Sequence, residues 1–136
     1  MSLARTVLST VFCTSLIAAC DQAPAIGADP ALPLDDPRQE TLVLAECAIY
    51  FAAEQKLAQD GQSAKGSMTA NCPEEARARP ADINPMVSVP SITPGYPETL
   101  YQRMIARGMP QALADDVAKS RAFWNLVAAR DSVLLL

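Results

Sequence analysis

Glu46, Tyr50 and Glu54 are the residues of this chain whose types and spacing invite chemistry. Spaced four apart on a helix they form one row, two carboxylates with a phenol between them. Paired carboxylates in a groove can move protons or hold a cation, which would make the protein a carboxylate-based enzyme or a small-ligand binder. The competing reading needs no ligand, because glutamates beside an apolar stripe are commonly its solvated edges. No His occurs in the 136 residues. That removes the commonest general base and the commonest metal ligand, and with them Ser-His-Asp catalysis, most zinc sites and the Glu-x-x-His pattern of di-iron bundles. No catalytic residue, metal or cofactor is assigned, and a non-enzymatic role is the favoured expectation. With 11 Lys and Arg against 15 Asp and Glu, the net charge is −4. The basic residues are scattered, Arg77 and Arg79 being the densest pair, which argues against a nucleic-acid partner.

The row at 46–54 requires a long helix. Asp36 can cap its free amides, Pro37 suits the first helical position, and Gln39 is placed as a capping-box partner. The helix is expected to run to Asp60 and stop at Gly61. Val43, Cys47, Tyr50 and Leu57 form an apolar stripe, with Leu44, Ala48, Phe51 and Ala58 beside it. Residues 62–95 are punctuated by Pro73, Pro80, Pro85, Pro90 and Pro94, leaving room only for a short helical turn after Asn71. A second helix is expected from Pro97 to Arg107, closed by Gly108, with Leu100, Met104 and Ile105 inward. A third should run from Pro110 to about Arg130, with Leu113, Val117, Trp124 and Val127 or Ala128 near helical spacing. Asp115 and Asp116 would sit early in that helix, where its dipole favours negative charge. The expected fold is therefore all-α, a small three-helix domain over residues 36–136 with a long Pro-rich loop. Phe123 and Trp124 are adjacent, so they point in different directions, and an exposed one would mark a partner surface. The terminal Val133-Leu134-Leu135-Leu136 would dock on the core or on a partner, the core being favoured.

Ahead of this domain, Arg5 precedes an apolar stretch from Val7 to Ala19 that is too short to span a bilayer and has the length of a signal-peptide core. It ends Leu16-Ile17-Ala18-Ala19-Cys20, which resembles the lipobox of bacterial lipoproteins. The resemblance covers residues 1–20 only and departs from the commonest pattern in having Ile17 rather than Leu. It implies a signal peptide over residues 1–19, cleavage after Ala19, and fatty acylation of Cys20. Several acyl chains, at about 0.8 kcal/mol per buried CH2, would anchor the mature protein stably. In enterobacterial lipoproteins an aspartate after the lipidated cysteine is a sorting signal for the inner membrane, and Asp21 holds that position. The protein is thus expected in the cell envelope, facing the periplasm. The alternative is ordinary secretion with cleavage at the small residues Ala23-Pro24-Ala25. Residues 20–35, rich in Ala and Pro, read as an extended tether that could reach roughly 45 Å at about 3.1 Å per residue, unless the arm packs on the domain.

On that resemblance, Cys13 leaves with the leader and Cys20 is lipidated, so of the 4 Cys only Cys47 and Cys72 remain to pair. A structural disulfide between them would tie the Pro-rich loop to the first helix, and a redox-active pair is the alternative. Only six aromatic residues lie beyond the leader, so the core must be built largely from Ala, Leu, Val and Met, and a staple would help it. The leading expectation is an envelope lipoprotein that presents a helical domain to a protein partner. The alternatives are the carboxylate-based enzyme or ligand binder above, and an immunity or exclusion lipoprotein.

Overall fold

The computed structural model describes Ile26, residues 36–64 and residues 67–135, the last four by backbone alone. The expected signal peptide, Cys20, Asp21 and nearly all of the expected tether lie outside the described residues, as do the side chains of Val133–Leu136. Asp36 begins the first helix, α1 (Pro37–Gln59): its carboxylate accepts from the Arg38 amide at 2.9 Å, and Pro37 occupies the first turn. The Arg38 side chain closes on the same carboxylate at 3.0 and 2.6 Å, and these bonds hold the Asp36 carboxyl down at about 2. At the other end Gly61 takes φ +70°, the left-handed geometry that lets the chain leave a helix without a Cβ clash.

The buried row of α1 is Leu42, Glu46, Ile49, Tyr50, Ala53 and Leu57. The expected stripe was centred too far round the helix: Cys47, Tyr50, Phe51 and Leu57 are buried, but Val43, Leu44 and Ala48 are only half-buried and Ala58 is exposed. A 3-10 turn, Glu74–Ala76, follows Asn71 and Pro73 and packs against α1. The Cys47–Cys72 disulfide joins the two, with Cα atoms 5.7 Å apart.

Helix α2 (Tyr96–Ala106) ends at Gly108, φ 105°, and buries Leu100 and Met104, with Ile105 half-buried. The expected third helix is two. Helix α3 (Gln111–Val117) stops, and α4 (Arg121–Leu135) starts after a three-residue corner. The described residues therefore contain four helices rather than three. Two bonds make the corner. The Met86 amide donates to the Lys119 carbonyl at 2.9 Å, which pulls that carbonyl out of the helical ladder; Ser120 Oγ donates to Val117 O at 2.6 Å and accepts from the Phe123 amide at 3.3 Å, capping α4. The split also moves Asp115 and Asp116 into the last turns of a short helix, where the dipole no longer favours them; Asp115 instead accepts a bond from the Tyr101 hydroxyl.

The protein is a small all-α domain. Helix α1 packs against α4, and α2 packs against α3 and α4. The main core gathers Leu42, Ile49, Tyr50, Ala53 and Leu57 with Met68, Leu100, Met104, Met109, Val117, Phe123 and Leu126. A smaller cluster, Cys47, Phe51 and Ala76, lies under the disulfide. Among the described residues there is no strand, only the single bridge Pro85–Ser120.

Candidate functional site

Because α1 turns the row containing Glu46 toward the core, this carboxylate is completely buried and is not a solvated edge. Three donors meet it. The Tyr50 hydroxyl, one turn on, donates to Oε2 at 2.6 Å. From α2, Arg103 donates Nε to Oε2 at 2.9 Å and Nη2 to Oε1 at 2.6 Å, a two-pronged match of guanidinium to carboxylate. Arg107, the residue that ends α2, is buried too, and turns to the loop. It donates to the Met68 carbonyl from Nε and Nη2 at 3.0 and 2.7 Å and to the Ala70 carbonyl at 2.5 Å, with its guanidinium 4.9 Å from the centre of the Tyr50 ring.

These contacts set the ionisation of the cluster. Burial, reinforced by the negative Glu46, pushes the Tyr50 hydroxyl far above the ordinary phenol range. Tyr96 is pushed up to about 12 by burial first and Glu46 second, with the neighbouring Arg103 pulling the other way, and among the described residues its buried hydroxyl has no hydrogen-bond partner. Burial pulls Arg103 down, but the bond and charge of Glu46 outweigh it and leave its pKa above the usual guanidinium value. Arg107 is lowered by burial. The result is a closed pair of opposite charges with a neutral phenol locked onto it. Both carboxylate oxygens accept hydrogen bonds from these donors.

Glu54 belongs to a different contact. It accepts from the Thr69 hydroxyl at 2.8 Å, again holding the loop to α1. Glu46 and Tyr50 are thus brought together, whereas Glu54 faces another partner, so the three do not converge on one ligand. Among the described residues no three His, Cys, Asp or Glu side chains gather as metal ligands, and no helix is long and apolar enough to cross a membrane.

Phe123 is not on the surface: it is fully buried against Leu126 and the α1 row, because the corner at 118–120 shifts the phase of α4 relative to one long helix. Trp124 is half-buried, its ring edge-on to Phe123 at 5.2 Å and its indole N–H donating to Ala118 O at 2.8 Å. Among the described residues, the large apolar side chains that do face solvent are Val87, fully exposed, and Ile92. Both lie on the loop between the Pro85–Ser120 bridge and α2, where Val89, Pro90 and Ile92 line a shallow cleft with Asp115 and Lys119. No protein-family model matches the chain, and neither a curated protein nor a solved structure matches it.

Arg103, Arg107, Tyr96, Val87 and Ile92 were not singled out from the sequence. The Glu46–Arg103 pair spans 57 residues, and no local spacing announces it. One signal was present: a glutamate inside the row Leu42, Ile49, Ala53 calls for a polar partner beside it, most simply a cation.

Proposed function

We propose that the protein is a lipid-anchored envelope lipoprotein, acylated at Cys20 and facing the periplasm, that presents its helical domain to a protein partner without catalysing a reaction. The anchor rests on the Leu16–Cys20 motif, and Asp21 favours retention in the inner membrane. The observation that carries the partner half is the exposed loop at residues 86–94. A fully exposed Val87 gains nothing for the fold, yet the Pro85–Ser120 bridge and the Met86–Lys119 bond hold this loop in place. An apolar side chain projected on a pinned loop suits insertion into an apolar recess of another protein. The carboxylate-based reading has less support, since Glu46 is already saturated by Arg103 and Tyr50.

Two experiments test it. Cys20→Ser should release the protein from membranes and stop normal processing; unchanged partitioning and processing would remove the anchor. In intact cells, crosslinking should recover the same envelope protein from wild type and from Glu46→Gln, and lose it from Val87→Asp with Ile92→Asp. Recovery from the loop variant equal to wild type would remove the loop as the contact surface.

A further inference from the structure

The only described residue ahead of Asp36 is Ile26, and it is half-buried. It packs against both apolar clusters: the main core, and the small cluster of Cys47, Phe51 and Ala76 beside the disulfide. The same small cluster is flanked by Val43, Leu44 and Cys72, so the contact lies on the face where α1 and the disulfide-bonded loop meet. In the arm, Ile26 is the first large apolar side chain after Cys20, in a run otherwise made of Ala, Pro, Gly, Gln and Asp up to Leu32. Val43 and Leu44, both half-buried on α1, lie beside the same small cluster.

We propose that Ile26 plugs the arm onto the disulfide face of the domain, so that the anchor holds the domain close to the bilayer with that face toward it. The membrane half of this inference rests on the lipoprotein reading. Ile26 lies six residues beyond Cys20. A fully extended chain of that length spans at most about 20 Å, against the roughly 45 Å open to a free arm in polyproline II. The contact has a second consequence. An isoleucine resting on the cluster that contains Cys47 shields the disulfide from external thiols.

The test uses the mature full chain in three forms: wild type, Ile26→Val and Ile26→Ser. The first readout is the rate at which dithiothreitol reduces the disulfide under native conditions. Ile26→Ser should be reduced several-fold faster than wild type, and Ile26→Val at nearly the wild-type rate. The second uses the single Trp, Trp124, as an energy donor to a dansyl headgroup acceptor in phosphatidylethanolamine–phosphatidylglycerol vesicles. Transfer should fall in Ile26→Ser, as the longer free arm lets the domain move away. Equal reduction rates in wild type and Ile26→Ser overturn the docking, whatever the N-terminus carries. Unequal rates in a protein whose N-terminal mass shows no acyl chain support the docking and overturn its membrane role.

Discussion

Glu46 occupies a core position at the cost of its hydration, and only the combined donors of Arg103 and Tyr50 make that tolerable. Arg103→Met should therefore lower stability by about 3–5 kcal/mol in urea titrations, since it strands a buried carboxylate. Adding Glu46→Met to Arg103→Met should restore most of the loss. A double variant as unstable as the single one would show that the penalty is lost packing rather than stranded charge. Tyr96 presents the opposite case, a buried hydroxyl that meets no hydrogen-bond partner among the described residues, so Tyr96→Phe should be neutral or stabilise by up to about 1 kcal/mol. The same residue titrates in alkali. Its phenol ionises near 10.0 when free and near 12 when folded, so its contribution is intact below pH 10 and is lost as pH rises through about 12. Urea midpoints followed upward from neutrality should decline above that lower value, with Tyr50 adding to the slope in the same direction, and less steeply in Tyr96→Phe.

At the scale of elements, the corner between α3 and α4 is set by the Met86–Lys119 bond and by one side chain, Ser120. Ser120 is fully buried, and its hydroxyl both closes α3 and caps α4. Ser120→Ala should cost about 1–2 kcal/mol by thermal or urea unfolding, at the upper end of cap losses because the freed Phe123 amide is also buried. An unchanged midpoint would mean that the Met86–Lys119 bond alone sets the break. This corner also marks where the sequence stops being legible. The ends of α1 and α2 were readable from Asp36-Pro37, Gly61 and Gly108, because local backbone chemistry sets them. Residues 111–130 contain no Gly or Pro, so the break there is imposed by the loop at Pro85 and Met86, far away in sequence. The phase of α1 was misread for a related reason. Alanines populate several of its faces, and the true core row looked interrupted because it contains Gln39 and Glu46. Only α2, coming back with Arg103, makes a glutamate admissible there, just as only the shifted phase of α4 takes Phe123 from a supposed partner surface into the core.

For the whole molecule, the question is what keeps a Pro-rich connection of this length against a small, aromatic-poor core. Several ties act on it at different points. The Cys47–Cys72 bridge holds its middle, and Arg107 grips the Met68 and Ala70 carbonyls. Further along, the Ala81 amide donates to Ala48 O and the Met86 amide to Lys119 O. Because these ties are distributed, loss of the covalent one should weaken the domain without dissolving it. Closing a loop of 25 residues is worth about 3 kcal/mol in the chain-entropy model. A domain of this size typically has about 5–15 kcal/mol in hand, and each 1 kcal/mol moves its midpoint by roughly 4–8 °C. The Cys47→Ala, Cys72→Ala variant should thus remain helical at room temperature and melt roughly 12–24 °C lower. Hydrogen exchange should show where the loss falls. Amides at 67–80 should exchange markedly faster, while α1 from Ala53 onward and α4 around Phe123 keep their order of protection, since their contacts do not pass through the bridge. If instead all four helices lose protection together, the bridge is part of the single cooperative unit, and the Arg107 grip cannot hold the loop by itself.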